Sequence, residues 1–307
     1  MIGLLILLAT GLLVLWVGTT LYVFWRLRHP PRWRRAMAIA QGIPVELGDY
    51  GLHGDGVVFR FARGTETPGW IIKGGRPDRP AVVITHGFGD SRFGSMMFSM
   101  VYAPHASAVV VYDLAAHGDS TDHKLGFALR ETDDLAEIIA QLPEAIKGRG
   151  LVLAGYSMGG TVSVRASLLP SVRGWVRGLV LDGPYRLWWQ PMYGMLQVMG
   201  YPANSIVFLA RVLRPLLCPG VTEIENARDV ARLDVPVLVM HGDDDGVCPV
   251  EAGRELAEAA KCGRLEVFEG GGHLDLAVVN PERYHAVLES FFTTFDEESA
   301  VAVRVAD

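Results

Sequence analysis

Six short apolar runs, most of them separated by stretches of helical period, constrain this chain more than any other feature. They are Ala81–Thr85, Ala108–Tyr112, Leu151–Ala154, Trp175–Leu181, Pro236–Met240 and Leu265–Phe268. Most are rich in Val, Ile and Leu and lack polar alternation, which suits strands buried on both faces of a parallel sheet. Arg130–Leu142 sets Leu135, Ile138, Ile139 and Leu142 on one face of a 3.6-residue period, and Gly160–Leu169 and Glu251–Lys261 read as helices in the same way. Strands alternating with helices predict an α/β fold with a mostly parallel central sheet flanked by helices. Ahead of that pattern, Val57–Phe61 and Trp70–Lys73, joined through the turn residues 64–69, predict an antiparallel hairpin.

One stretch breaks the alternation. Between Asp182 and Asp229 there is no strand pattern, yet the segment is rich in Trp188, Trp189, Met192, Met195 and similar side chains. It is expected to be a helical cap insertion over the C-terminal edge of the sheet. The expected organisation is therefore an anchor at 1–27, a linker at 28–56, core at 57–182, cap at 183–229, core again at 230–295 and a tail at 296–307.

The anchor is expected because Ile2 to Trp25 carry no charged side chain. About 20 apolar residues cross the hydrocarbon core as a helix, the form that satisfies its own backbone in lipid. Trp16, Tyr22 and Trp25 gather towards one end, as at a membrane interface. A cleaved signal peptide would carry a basic start, a shorter run and a small-residue cleavage site, and none of these is seen here. Arg26, Arg28, Arg32, Arg34 and Arg35 follow the run. By the positive-inside rule they predict a single-pass membrane protein with its folded domain in the cytoplasm. His29-Pro30-Pro31 gives a short stiff break after the helix.

The formal net charge of −6, with no basic stripe, excludes a general affinity for nucleic acid. Cys218, Cys248 and Cys262 form no CxxC pair, which argues against a disulfide framework and predicts three small buried hydrophobes in a reducing compartment. Nothing in the sequence sets an oligomeric state.

Gly155-Tyr156-Ser157-Met158-Gly159 carries the chemistry. It follows an apolar run and opens a helical pattern, the context in which a sharp strand–turn–helix bend lifts a serine hydroxyl above a sheet. A hydroxyl is a poor nucleophile at neutral pH and needs a base. His273, in Glu269-Gly270-Gly271-Gly272-His273 after the last apolar run, is placed to serve. An acid that orients the imidazole should follow the preceding run, where Asp243, Asp244 and Asp245 compete. Three adjacent carboxylates also suit a divalent metal, but no His or Glu ligand pattern accompanies them, so no metal is expected. The backbone N–H groups of Met158 and Phe88, the latter in His86-Gly87-Phe88-Gly89, are the expected oxyanion donors. His86 is expected to shape that loop.

These residues resemble the α/β-hydrolase superfamily over roughly Val57 to Phe292. His86-Gly87-Phe88-Gly89 is similar to its oxyanion loop. Asp113-Leu114-Ala115-Ala116-His117-Gly118-Asp119-Ser120 is similar to its D-x-x-x-H-G-x-S loop, Gly155–Gly159 to its elbow, and His241-Gly242-x-x-Asp245-x-x-x-Pro249 and Gly272-His273 to its acid and histidine loops. The resemblance selects Asp245 as the acid and makes His117 structural. The nearest likeness is to membrane-anchored bacterial-type esterases, monoglyceride-lipase-like and serine-aminopeptidase-like enzymes. The oxyanion loop departs from the H-G-G-G of some lipases, so substrate claims from those lipases do not transfer. The resemblance implies a Ser157–His273–Asp245 triad that cleaves a small-molecule ester, hydrophobic or lipid-derived, without metal or organic cofactor. An aminopeptidase-like amide hydrolase and a non-catalytic binding protein on the same fold are the alternatives.

Overall fold

The computed structural model describes residues 1–221 and 224–306, with backbone alone for Leu217 and 297–306. Thr222 and Glu223, inside the expected cap, and Asp307, at the end of the expected tail, lie outside the described residues.

Eight strands form one sheet: β1 Gly54–Arg60, β2 Glu66–Lys73, β3 Ala81–Thr85, β4 Ala108–Tyr112, β5 Leu151–Tyr156, β6 Val176–Asp182, β7 Val237–Gly242 and β8 Gly263–Phe268. The order is β1-β2-β4-β3-β5-β6-β7-β8. The hairpin β1–β2 joins β4 antiparallel, and β3 to β8 run parallel. Every residue of β3, β4, β5 and β7 is buried, as continuous apolar runs require when helices cover both faces.

All six apolar runs became strands, β3 and β4 with the expected ends and the other four with corrected ones. β5 and β7 continue two residues further, through Gly155-Tyr156 and His241-Gly242, while Trp175 and Pro236 stay outside β6 and β7. Phe61 lies outside β1, and β2 begins as early as Glu66, because the turn closes within Phe61–Thr65, where the Phe61 N–H donates to the Thr65 carbonyl at 2.9 Å.

Helices Arg130–Gln141 and Met158–Ser167 cover one face of the sheet, and Ser95–Tyr102 and Pro281–Ala306 the other. The segment expected as a tail is thus part of the helix that opens at Pro281, as far as Ala306. Among its described residues, the segment expected as a cap holds two helices of two turns or more, Gln190–Val198 and Ala203–Leu217, and most of a short third, Asn226–Val230. Cys218 and Cys248 are buried as expected, but Cys262 is exposed, in the turn ahead of β8.

The N-terminal helix, Ile2–Arg28, is long and apolar enough to cross a membrane. Ile2 to Leu15 are exposed. Beyond them one face, at Trp16, Thr20, Val23, Phe24 and Leu27, turns against the protein with a spacing of three and four residues. There it packs on the second cap helix, and the Trp16 indole donates to the Ser205 carbonyl at 3.1 Å. The chain leaves the helix at His29, as the His-Pro-Pro break requires.

Candidate active site

Ser157 sits between the end of β5 and the first turn of helix Met158–Ser167, at φ 49° and ψ −113°. An L-residue reaches that region only at a cost, and such strain persists where the surroundings hold it. The Ser157 N–H donates to the Asp182 carbonyl of β6 at 2.9 Å, which pins the bend from behind. Gly159 supplies the clearance: a Cβ there would lie 1.9 Å from the Thr85 carbonyl oxygen at the end of β3.

Asp245 follows β7 and His273 follows β8. The His273 Nδ1–H donates to Asp245 Oδ2 at 2.7 Å. Asp245 Oδ1 accepts the N–H groups of Val247 at 2.8 Å and Cys248 at 2.7 Å. Burial pushes this carboxyl up, but the hydrogen bonds from His241 and His273, the charge of His273 and the Cys248 N–H outweigh it. The group is held well below the ordinary carboxylate range. Asp243 and Asp244 are exposed, and Asp243 accepts the Gly270 N–H at 2.7 Å, a turn contact. Gly242 lets the two loops meet: a Cβ there would lie 2.0 Å from the Gly271 carbonyl oxygen.

His241 is the site residue that sequence reasoning named only as part of a motif. Fully buried, its Nε2 lies 2.8 Å from the Cys248 carbonyl and 3.4 Å from Asp245 Oδ2. Its alternation in β7 reads as core, and no local signal separates it from a packed apolar residue.

The other two histidines are scaffolding. The Leu114 N–H donates to His86 Nε2 at 3.0 Å, so the proton is on Nδ1, which donates to the Gly87 carbonyl at 2.8 Å. Burial, with His117 close by, pushes His86 down to about 3. His117 accepts the Gly89 N–H at 3.0 Å and donates from Nδ1 to the Ala115 carbonyl at 2.9 Å; burial pushes it down to about 4. Both rings thus stay neutral and grip the turn that carries Phe88. Met158 opens its helix, where a backbone N–H has no partner within the helix.

Ser157, Met158, Phe88 and His273 line one cavity of about 230 Å³. The His273 ring packs against Gly183, next to the Asp182 carbonyl that holds the Ser157 N–H. The cap supplies Trp188, Met192 and Met195 to the wall, and the N-terminal helix supplies Phe24 and Leu27. That last contribution has no signature in the sequence, because an apolar residue facing a pocket and one facing lipid read alike. Small, mostly apolar concavities with a few convergent polar groups are where proteins bind organic ligands.

Residues 82–287 match the profile of the alpha/beta hydrolase family. Human protein ABHD12B is 27% identical over 198 residues, 62% of this chain and 53% of that protein, so the chain spans about half the length of that relative. The esterase Pf2001 of Pyrococcus furiosus shares the fold with a TM-score of 0.66 at 19% identity, over 86% of this chain and 98% of that one. A membrane phospholipase A, described as a bacterial virulence factor, gives a TM-score of 0.60 at 20% identity over 96% of this chain and 98% of that one. At such identities the structural likeness speaks for the fold, while the family profile covers most of the chain: this protein belongs to the α/β-hydrolase family.

Proposed function

We propose that the chain is a membrane-attached serine hydrolase that cleaves carboxylic esters with hydrophobic acyl groups. The observation that carries the reading is the 2.7 Å bond from His273 Nδ1 to a buried, ionised Asp245, on the rim of the cavity that Ser157 lines. A proton fixed on Nδ1 leaves Nε2 free to accept one. In this reading His273 takes the Ser157 proton as the hydroxyl oxygen attacks the ester carbonyl. The N–H groups of Met158 and Phe88 receive the oxyanion. The alcohol leaves with the proton returned by His273, and water, activated by the same imidazole, releases the acid and restores Ser157.

The cavity wall favours an ester with an uncharged acyl chain over an aminoacyl amide, since none of the described side chains lining it is a carboxylate that would hold an ammonium group. The N-terminal helix supports membrane attachment. The burial of Thr20 and Phe24 against the protein favours a retained helix over a cleaved signal. The arginines from Arg26 to Arg35 favour a cytoplasmic domain.

Labelling by a fluorophosphonate probe, followed by a panel of acyl esters and aminoacyl amides, is the test. The wild-type chain is expected to label and to turn over esters, and Ser157→Ala to lose both. Equal labelling of Ser157→Ala would remove the assigned nucleophile. A wild type that never labels would favour a binding protein on this fold.

A further inference from the structure

We propose that the N-terminal helix is part of the substrate site, with Phe24 and Leu27 forming the far wall of an acyl-chain pocket that sets chain-length preference. The inference rests on the ester-hydrolase reading and adds to it a pair of residues that the triad logic does not reach.

A free anchor would turn all its side chains to lipid. Here Phe24 is only 4% exposed, and with Leu27, one turn on, it lines the cavity that Ser157 and His273 line. Leu125 and Phe127, from the loop after β4, line the same cavity, and the Phe24 and Phe127 rings meet edge to face with centroids 6.4 Å apart. Phe127 and Ala128 adopt φ values of 54° and 66°, a conformation that is unfavourable for any residue with a Cβ. Strain of this kind is retained where it serves a site. It is held by the Glu131 carboxylate, which accepts the Gly126 N–H at 2.7 Å, and by the Leu125 N–H, which donates to the Arg28 carbonyl at 2.9 Å.

The helix is also fixed in register. Trp16 is bonded to Ser205, and the Arg32 guanidinium just beyond the helix donates to the Ala116 carbonyl at 3.1 Å and the Ser120 carbonyl at 2.7 Å. Phe24 and Leu27 are therefore held against the cavity. With Cys218 and Val221 beside them, the described side chains that line this end of the cavity are apolar, and the Arg28 guanidinium lies near Cys218 behind them. The chemistry that fits is an unbranched acyl chain, its carbonyl at Ser157 and its tail against the N-terminal helix.

The test uses the full chain in detergent micelles and p-nitrophenyl esters of acetyl, butyryl, octanoyl and dodecanoyl groups. The readout is the ratio of kcat/KM for octanoyl over acetyl, with active sites counted by fluorophosphonate. Leu27→Trp, which fills the pocket, is expected to lower that ratio roughly tenfold or more, the scale on which apolar pockets discriminate single methylenes. Phe24→Ala, which enlarges it, should move the optimum towards dodecanoyl. Leu13→Trp, on the exposed part of the helix, should keep the wild-type profile. If Leu27→Trp and Phe24→Ala both hydrolyse esters with the wild-type profile, the acyl wall is overturned while the hydrolase reading stands. If the wild type cleaves no ester, the hydrolase reading falls first and the acyl wall with it.

Discussion

Asp243, Asp244 and Asp245 are the same side chain three times over, and only their surroundings separate them. Asp245 is buried with both carboxylate oxygens engaged, whereas its neighbours are exposed. Sequence spacing alone left the three open, because burial is decided by where the loop meets the rest of the fold. Asp245→Asn keeps the shape but removes the charge that fixes the His273 tautomer. It is expected to lower kcat by about 10⁴, measured on the best ester. Asp182 is a different case. Its carboxyl is fully buried at the end of β6, accepts the Tyr284 hydroxyl at 2.9 Å and is pushed by burial from 3.8 up to about 7. The folded state therefore keeps a proton that the unfolded chain releases. The stability it contributes is fully present below 3.8 and is lost as pH rises towards about 7. Asp182→Asn should flatten the fall in Tm across that window. Buried Glu131, pushed up to about 7 in the same way, should leave a residual slope. An unchanged Tm–pH profile in Asp182→Asn would show that this carboxyl is not the titrating group.

Strands and helices were legible wherever apolar residues run on without a break or recur with a strict period, which is why all six parallel strands were anticipated, the half-exposed edge strand β8 among them. The C-terminal ends of β5, β6 and β7 were not. Gly155-Tyr156 and His241-Gly242 look like loop by composition, yet they carry β5 and β7 to the rim where the site is assembled. The helix at Ser95–Tyr102 escaped notice because its Met, Phe and Val residues surround it without a clear polar face. Elements at the rim approach so closely that a single methyl is too much. In Gly159→Ala the Cβ would meet a backbone oxygen at 1.9 Å, and neither partner is a flexible side chain that can move aside. That variant is expected to lose about 3 kcal/mol or more of stability in a denaturant titration. Replacing exposed Gly56, where a Cβ would meet nothing within 4 Å, should cost much less.

At the scale of the whole molecule, the sequence separated an anchor from a folded domain, and the structure joins them. The join runs through Trp16, Phe24 and Leu27, large apolar or aromatic side chains like many of the exposed ones around them, so a linear reading had no means of finding it. The full chain is expected to stay in the membrane pellet through alkaline extraction; intact protein in the supernatant would remove the anchor reading. Where this helix crosses a bilayer, the bond from Trp16 to Ser205 fixes how far the rest can stand off. The exposed run from Ile2 to Leu15 is about 14 residues, or roughly 21 Å at 1.5 Å per residue. A hydrocarbon layer is about 30 Å thick, so roughly 9 Å more must come from turns that are already docked. Phe208, Val212 and Leu216, exposed at successive turns of the second cap helix, would then touch acyl tails. The second cap helix would work as a keel, sunk in the hydrocarbon layer beside the first helix.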